Sequence, residues 1–301
     1  MANEIYSSSW WGEGVCTNTI DWGSSYKALA NCTPTPDPFT NTFSLAFDGV
    51  DDYINSGAST LSGETALSIS AWVYPTSYGD ATAPSFVSTD AASPRAFYLG
   101  LFNATNFRFS ISTNGTSLTS LDTASGTVDL NVWQHILVTW DQINLKLYKN
   151  GVLLKTVATT SSSNGTFTTT NDLLIGARRS SAGFFEGNID EVAVWNSVQD
   201  ASTIYNSGTP ARIEGAVAHW RMGEDATFNT NWNVPDNAGS ATGTSANMTI
   251  SDLQGEAPNY TGGGLSNNMT IEDRVGDASN SSNNALSYNM DEVDRETDVP
   301  S

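Results

Sequence analysis

The segment "NLKLYKNGVLLKTV", residues 144–157, gives the clearest indication of the fold. Two apolar runs flank the dipeptide Asn150-Gly151. A two-residue hairpin turn of type I′ needs positive φ at both turn positions, and Asn-Gly adopts that geometry at little steric cost. The segment therefore predicts two antiparallel strands joined by a tight turn.

Apolar and polar residues alternate elsewhere in the chain, with a period of two that is typical of half-buried strands. The alternating segments are "FSLAFD" (43–48), "LSISAWVY" (67–74), "NFRFSIS" (106–112) and "QHILVTWD" (134–141). Two further strands are predicted in "LLIGA" (173–177) and "NIDEVAVWN" (188–196), and a single short helix in "VQDASTIYN" (198–206). Many short strands joined by polar turns predict an all-β antiparallel β-sandwich jelly roll.

The composition limits the classes of partner. The chain has 301 residues, of which 39% are hydrophobic, and its 12 basic and 32 acidic residues give a net charge of −20. Nucleic acids and anionic membranes need cationic patches, so neither is expected as a partner. The first residues, "MANEIYSSSWWGEG", lack the basic and apolar regions of a signal peptide, so an extracellular role would require another route, such as lysis. Cys16 and Cys32 are compatible with either a disulfide or two free thiols.

Four parts differ in composition. Residues 1–42 contain Trp-Gly pairs followed by a Pro-rich linker, and they are predicted to form a docking arm. Residues 43–206 form the predicted jelly roll. Residues 207–244 are predicted to be a linker with one strand, in "GAVAHWRMGED" (215–225), and residues 245–301 an extended arm.

The predicted C-terminal arm contains a phrase of 21-residue period. It begins as "SANMTISDLQGEAP" (245–258) and recurs at 266–279 and 287–300. Each unit has too little apolar surface for a core of its own, which leaves two interpretations: a disordered acidic tail, or a binding arm whose methionines enter equivalent pockets on partner subunits. The second interpretation is preferred because the methionines keep their register. The residues expected to dock on partners are Trp10, Trp11, Trp22, Met248, Met269 and Met290.

Six phrases occur in order along the predicted jelly roll: "LAFDGVDDYI" (45–54), "LSISAWVYP" (67–75), "VWQHILVTWD" (132–141), "LYKNGVLL" (147–154), "LLIGA" (173–177) and "FFEGNIDEVAVWN" (184–196). Together they resemble the laminin-G-like, concanavalin-A-like jelly-roll family. The resemblance implies two stacked antiparallel sheets, frequent calcium, and glycan or protein binding, usually without catalysis.

The resemblance also implies a structural calcium ion where the turn after the first strand meets the last strand. The matching positions are Asp48 and Gly49 in "FDG" and Asp190 in "NIDEV". Calcium is bound by clustered carboxylate and carbonyl oxygens, which two acids could supply if they converge in the fold. The alternative is that Asp48 caps the Gly49 turn and that Asp190 is a solvent-facing strand residue.

Two predicted loops combine aromatic with hydrogen-bonding side chains, an arrangement that can hold a sugar ring. The alternative is that one phenylalanine closes the end of the sandwich and that the arginines pair with the acidic surface. The candidate glycan-binding residues are Tyr74, Tyr78, Asp80, Arg178, Arg179, Phe184 and Phe185.

No enzyme activity is expected. "EVDRE" (292–296) has the i, i+2, i+4 acid spacing seen in laminarinase-type glycoside hydrolases, but it lies in the repeat and outside the jelly roll. The two histidines, His135 and His219, are interpreted as structural, and the chain has no nucleophile-elbow sequence around a serine or cysteine.

The flanks, in "SSSWWG…DWGSSY", "HWRMGE…NMTISD…GEAPN" and "NSSNNALSYNM", resemble structural proteins of tailed phages, especially marine ones. This resemblance implies a homo-oligomeric component of the virion surface, such as a decoration, fibre or appendage protein, whose arms attach to other virion proteins and whose jelly roll binds surface glycans. The alternatives are a secreted or cell-surface bacterial carbohydrate-binding module and, after it, a laminarinase-like glycoside hydrolase.

Overall fold

In the computed structural model, the described residues are 15–21, 27–33, 39–59, 61–78, 83–103, 105–255 and 258. The chain divides into two compact units, residues 1–41 and 42–301. The first unit contains β1 (Val15–Asp21) and β2 (Lys27–Thr33), which pair antiparallel with Cys16 opposite Cys32. Trp10, Trp11, Trp22, Asp80, Met269 and Met290 lie outside the described residues.

The second unit is built on two large sheets in which all strand pairs are antiparallel. The nine-stranded sheet has, in spatial order, β10 (Thr119–Asp122), β9 (Asn106–Ile111), β8 (Phe97–Phe102), β7 (Ser85–Ser88), β15 (Asp172–Ile175), β4 (Tyr53–Ala58), β22 (Gly243–Ala246), β21 (Asn231–Val234) and β20 (Thr227–Asn229).

The eight-stranded sheet completes the predicted sandwich. Its order is β13 (Val152–Ala158), β12 (Asn144–Lys149), β11 (Gln134–Trp140), β6 (Leu67–Pro75), β18 (Glu186–Trp195), β3 (Ser44–Asp48) and β23 (Leu253–Gln254), with β19 (Ala218–Trp220) also paired to β18. Two small two-stranded sheets are formed by β5 (Ser62–Glu64) with β14 (Phe167–Thr168) and by β16 (Ala177–Arg179) with β17 (Ala182–Phe184); the second is a hairpin. The helical elements are α1 (Ala201–Tyr205) and 3-10 turns at Asn206–Gly208 and Ile250–Asp252. No helix among the described residues is long and apolar enough to span a membrane.

The Asn-Gly hairpin is confirmed. Asn150 and Gly151 have φ values of 51° and 76°, and Lys149 pairs with Val152 across the turn. Because Asn150 also accepts a hydrogen bond from the backbone N–H of His135 through its side-chain oxygen (2.8 Å), the turn is tied to the neighbouring strand β11. The outermost strand, β13, leaves Val152, Leu153 and Leu154 exposed.

The core lies between the inner faces of the two sheets, as the alternating segments predict. Inward-facing apolar side chains such as Ile69, Phe109 and Val138 are fully buried. Burying tryptophan also buries its indole N–H, which then needs an acceptor. Backbone carbonyls accept these bonds: Trp140 donates to Ser163 (2.7 Å), Trp195 to Glu214 (3.0 Å), Trp220 to Ala241 (2.8 Å) and Trp232 to Thr249 (2.8 Å).

Residues 207–255 are an integral part of the sandwich, which differs from the predicted linker and arm. This segment contributes β19 to β23, and β22 and β23 pair with β4 and β3 in the two different sheets. These strands are two to four residues long and carry at most two inward apolar side chains each, such as Trp232 and Val234 on β21. A period of two cannot be recognised over so few residues.

The structure also corrects the expectation that Met248 docks on a partner. Its side chain is 3% exposed and belongs to the hydrophobic core. The residues that follow close a 3-10 turn: the Thr249 hydroxyl donates to the Asp252 carboxylate, which also accepts from the Thr249 backbone N–H. The first copy of the repeat is therefore folded into the jelly roll.

Met248→Ala should lower the free energy of unfolding by about 2–5 kcal/mol, because it removes buried methylenes and leaves a cavity. Chemical denaturation of both proteins measures this difference. Ile143→Ala, at an exposed site, is the matched control and should change stability by no more than about 0.5 kcal/mol. Equal, small effects of the two substitutions would show that Met248 is not part of the core.

Candidate functional site

Three arginines surround one buried carboxylate beyond the end of β7. The Asp90 side chain is 0% exposed, and its Oδ1 accepts from Arg95 Nε at 2.8 Å. Its Oδ2 accepts from Arg178 Nε at 3.0 Å and from Arg179 Nη2 at 3.2 Å. We call Arg95, Arg178 and Arg179 around Asp90 the arginine cluster. Its guanidinium groups are fixed by charge-assisted hydrogen bonds, which are about twice as strong as neutral ones.

The β16–β17 hairpin brings two of these arginines to the site. Gly176, which precedes the hairpin, has a φ of 83°, and an added Cβ would lie 2.2 Å from the Phe47 ring, so only glycine allows the chain to pass here. The Ser88 hydroxyl donates to the carbonyl of Arg178 (2.9 Å) and thereby ties the hairpin to β7. Local backbone geometry, rather than flexible side chains alone, thus positions the cluster.

The hairpin lies over the outer face of the nine-stranded sheet. The Arg178 guanidinium carbon is 3.9 Å from the ring centroid of Tyr98 on β8, and the Phe184 ring lies 6.4 Å from that of Tyr53 on β4. Three strand spacings separate β8 from β4 in the sheet order, which corresponds to about 14 Å. The hairpin therefore spans a surface of that width, with a cationic end and an aromatic end.

A second ion pair extends the face beyond Tyr98. Arg108 on β9 donates from Nε and Nη2 to the two oxygens of Asp122 on β10, with a distance of 2.7 Å for Nη2. Its guanidinium carbon also lies 3.1 Å from the Phe102 ring centroid. Burial lowers the pKa of Arg108, but the hydrogen bonds to Asp122 and Tyr98 outweigh it, and the pKa is raised overall. This arginine remains charged and paired.

The predicted glycan-binding residues are only partly brought together. Arg178, Arg179 and Phe184 share the hairpin, whereas Phe185 is buried in the core with its ring 5.0 Å from that of Phe86. The phenylalanine that closes the sandwich is therefore Phe185. Two others lie apart from the hairpin: Tyr74 is on the outer face of the eight-stranded sheet, against Trp133 (5.6 Å), and Tyr78 packs against the core.

Five residues of this face are not among the sequence-based candidates: Asp90, Arg95, Tyr98, Arg108 and Asp122. The alternation in "NFRFSIS" does indicate that Arg108 faces outward, opposite the buried phenylalanines. Asp90 and Arg95 lie in a loop with no periodicity, and the pairing of Asp90 with Arg178 and Arg179 spans more than 80 positions. No local pattern could have revealed that contact.

The acids predicted to bind calcium are found in two different groups. Asp48, Asp51 and Asp52 have carboxylate oxygens within 4.8 Å of one another in the turn between β3 and β4. Asp190 instead forms a second such group with Glu191 and Glu224, and it is buried on β18, not solvent-facing. The predicted convergence of Asp48 with Asp190 is therefore corrected: Asp48 pairs with Glu186 across the sheet, four residues before Asp190.

The first acidic group, Asp48, Asp51 and Asp52, is both a hydrogen-bonded turn and a cluster of negative charge. Gly49 has a φ of 75°, and Asp48 Oδ1 accepts from the backbone N–H groups of Val50 (2.8 Å) and Asp51 (3.2 Å), which is the predicted turn cap. Burial, followed by repulsion from Asp48, raises the pKa of Asp52 to about 6. Repulsion from Asp252 adds to this shift, so a fourth carboxylate lies near the group.

A model of the Concanavalin A-like lectin/glucanases superfamily matches residues 48–205, more than half of the sequence. The chain belongs to this superfamily. No curated protein matches the sequence significantly.

Solved structures with the superfamily fold are similar at low sequence identity. A presumed carbohydrate-binding protein from Bacteroides ovatus has a TM-score of 0.57 at 15% identity, over 72% of this chain and 60% of that protein. A heptameric SAP-like pentraxin from Limulus polyphemus has a TM-score of 0.47 at 14% identity, over 68% and 95%. Domain 4 of the Geobacillus stearothermophilus arabinanase AbnA, solved with arabinotriose, has a TM-score of 0.42 at 18% identity, over 55% and 75%.

In this member of the concanavalin A-like superfamily, the second acidic group belongs to a buried ionic network. Glu191 sits at a β-bulge of β18 with a φ of 47° and contacts His219 Nε2 at 2.6 Å and Arg221 Nε at 3.0 Å. Glu224 Oε1 accepts from the backbone N–H groups of Thr42 and Phe43. The network joins β18 and β19 to the segment before β3.

His135 is also part of the packing on this sheet. Its ring is buried between those of Trp72 (5.1 Å) and Tyr205 (5.9 Å), and burial lowers its pKa to about 3. It therefore stays neutral at physiological pH. Both histidines occupy enclosed positions, in agreement with their structural interpretation.

The raised pKa of Glu224 predicts that the stability of the protein depends on pH. Burial raises the pKa of this carboxyl group from 4.5 to about 7, so the folded state retains a proton that the unfolded state has released between these pH values. Its contribution to the free energy of unfolding should therefore fall as pH rises from 4.5 to 7, by about 3 kcal/mol, and stay constant above.

Denaturation of the wild type and of Glu224→Gln at several pH values measures this contribution. Gln can still accept from Thr42 and Phe43 but does not ionise, so the variant should gain stability relative to the wild type as pH rises. The comparison also cancels the opposite trend of His135, whose lowered pKa costs stability as pH falls from 6.5 toward 3. A difference between the two proteins that is independent of pH would contradict the assignment.

Proposed function

We propose that the jelly roll is a non-catalytic carbohydrate-binding domain and that its ligand binds across the β16–β17 hairpin, between the arginine cluster and the Tyr53–Phe184 pair. The observation that carries this proposal is the fixed position of three partly exposed guanidinium groups around the buried Asp90. Binding sites of this type need preorganised donors, because donors that must be ordered on binding cost entropy.

The two ends of the site suit the two kinds of surface on a sugar. Arginine N–H groups donate to hydroxyl and ring oxygens, while the half-buried Phe184 and Tyr53 rings offer apolar surface to the C–H faces. The shared fold with the presumed carbohydrate-binding protein from Bacteroides ovatus is consistent with this function. The sequence-based candidates Arg178, Arg179 and Phe184 remain in the proposed site.

The acidic groups favour binding over glycoside hydrolysis. Hydrolysis uses two carboxyl groups about 5–9.5 Å apart on either side of a cleft that admits the sugar. Among the described residues, Asp190 and Glu191 are buried, and Glu191 is engaged by His219 and Arg221. Asp48, Asp51 and Asp52 are grouped within one turn, with their oxygens closer together than this spacing.

The proposal is tested by a glycan array with the wild type and Arg178→Gln. The variant should bind the recognised glycans about tenfold or more weakly, because a charge-assisted hydrogen bond to a sugar is worth about 1.5–3 kcal/mol. Arg212→Gln, which changes an arginine outside the cluster, is the matched control and should bind like the wild type. Retained binding by Arg178→Gln would place the sugar elsewhere on the domain, and binding of no glycan by the wild type would refute the function.

We further propose that calcium binds at Asp48, Asp51 and Asp52. Of the sequence-based candidates Asp48 and Asp190, only Asp48 remains a ligand, and Asp51 and Asp52 are added. Their oxygens fit a hard divalent cation in type and in mutual distance. The raised pKa of Asp52 reflects the repulsion and desolvation that a bound cation would relieve. Calcium there would hold the β3–β4 turn, whose Asp51 carbonyl accepts from the Asn247 side chain near β22.

A few millimolar calcium should raise the thermal midpoint of the wild type, because a ligand that binds only the folded state stabilises it by mass action. Asp52→Asn should abolish the shift, whereas Asp172→Asn, at an exposed carboxylate outside the group, should retain it. The shift should shrink below about pH 6, where Asp52 is protonated. Differential scanning fluorimetry with calcium and with chelator measures this; no shift at neutral pH would exclude the site.

For the biological setting we propose a homo-oligomeric component of a phage virion surface, with a secreted or cell-surface bacterial module as the alternative. The support is the resemblance of the flanks to phage structural proteins. Part of that resemblance, "HWRMGE…NMTISD", lies within the sandwich, so the remaining support comes from residues outside it. Co-purification of the protein with intact virions would support the first setting, and its presence only in culture supernatant of uninfected cells the second.

A further inference from the structure

We propose that the ligand of this site is an acidic saccharide, one whose sugar rings carry carboxylate or sulfate groups. This inference rests on the proposed function and specifies its substrate class. The chain carries a net charge of −20, and only 12 of its residues are basic. Four of those twelve, Arg95, Arg108, Arg178 and Arg179, nevertheless lie together on one face, and within the described ranges their ion-pair partners are Asp90 and Asp122.

The excess of charge lies in the arginine cluster. Arg108 and Asp122 neutralise each other through two hydrogen bonds, whereas Arg95, Arg178 and Arg179 share the single charge of Asp90. Two positive charges are therefore not balanced within the cluster. A neutral sugar would leave this excess as it is, but one or two anionic groups on a ligand would compensate it.

The exposures of the four groups determine what an approaching ligand meets. The side chains of Arg95, Arg178 and Arg179 are 23%, 16% and 32% exposed, while that of Asp90 is 0% exposed. The carboxylate lies beneath the guanidinium groups and is shielded by them. An anionic ligand thus contacts cations at the surface without close repulsion from Asp90.

The three guanidinium groups also have more N–H donors than the two oxygens of Asp90 can accept. Each guanidinium has five N–H groups, and the two oxygens of Asp90 serve all three arginines. Arg179 Nε is buried and has no hydrogen-bond partner in the structure, although Nη2 of the same group contacts Asp90 and, at 3.5 Å, the carbonyl of Ala91. A buried unpaired donor of this kind calls for an acceptor, and an anionic oxygen is the strongest available.

Stacking fixes the direction from which such a group can bind. The Tyr98 ring covers one face of the Arg178 guanidinium at 3.9 Å, and Asp90 Oδ2 lies 3.0 Å from both Nε and Nη2. The N–H groups that remain are at the Nη1/Nη2 end of the guanidinium plane, where a planar carboxylate can bind end-on with two hydrogen bonds. A sulfate ester presents the same pair of oxygens. The shared requirement is therefore an anionic group with two adjacent oxygens attached to a sugar ring.

The experiment compares polysaccharides that differ only in charge. Binding of the full-length protein is measured by calorimetry to polygalacturonate and to its methyl ester, and to a sulfated galactan and its desulfated form. We expect binding to at least one anionic form to exceed that to its neutral form by about tenfold or more, and to weaken as salt is added. Preference for the carboxylated or the sulfated polymer identifies which anionic group is recognised.

Two variants connect the selectivity to the cluster. Arg179→Gln should remove most of the preference for the anionic polymer while leaving the melting temperature near that of the wild type, because its side chain is partly exposed. Arg179→Lys keeps the charge but loses the planar pair of donors, so it should restore part of the affinity. Lys155→Gln removes one positive charge from the edge strand β13 and is the control for net charge.

The outcomes separate this inference from the function on which it depends. Equal binding of charged and neutral forms, weakened by Arg178→Gln, would overturn the acidic ligand and keep the carbohydrate-binding site. Selective binding of anionic polymers that is unchanged in Arg179→Gln, or that falls equally in Lys155→Gln, would overturn the role of the cluster. Binding of no polysaccharide, and of no glycan on the array, would refute both.

Discussion

The fold depends on pairing between strands that are far apart in the chain. β3 and β4 lie in different sheets, and each is completed by a strand from the last part of the second unit, β23 and β22 respectively. A close fit accompanies this closure: an added Cβ at Gly243 would lie 2.5 Å from a methyl carbon of Ile54. Without residues 218–254, β3 and β4 would each present an unpaired backbone edge, and part of the apolar core, to water. The jelly roll is therefore closed by its C-terminal segment.

The sequence predicts the long strands better than the short ones, because alternation of apolar and polar residues is recognisable only over several residues. Alternation over six or more residues correctly predicted β6, β9 and β11, and the Asn-Gly turn predicted the β12–β13 hairpin. The short closing strands carry the same kind of information over two to four residues, which is too little to distinguish from chance. Met248 shows the consequence, because a buried core residue between two such strands was interpreted as an exposed docking residue.

The candidate site could be predicted only as far as its local part. Arg178, Arg179 and Phe184 are close in sequence, so a loop pattern suffices to group them. Asp90 holds the arginines in place, yet it is an unremarkable acid in a polar loop until the fold brings residues 90 and 178 together. The acidic turn is the opposite case: Asp48, Asp51 and Asp52 are near neighbours in sequence, whereas the prediction grouped Asp48 with the distant Asp190. Contacts between loops of different strands are properties of the folded chain, and local propensities do not encode them.

The buried first copy of the 21-residue repeat limits the distance that the later copies can reach. The continuously described range ends at Gly255. A fully extended chain spans at most about 3.6 Å per residue, so covalent continuity alone keeps Met269 within about 50 Å of Gly255 and Met290 within about 130 Å. Any partner held by either methionine must lie inside those radii. The position of the first copy in the folded domain thus sets the origin from which both distances are counted.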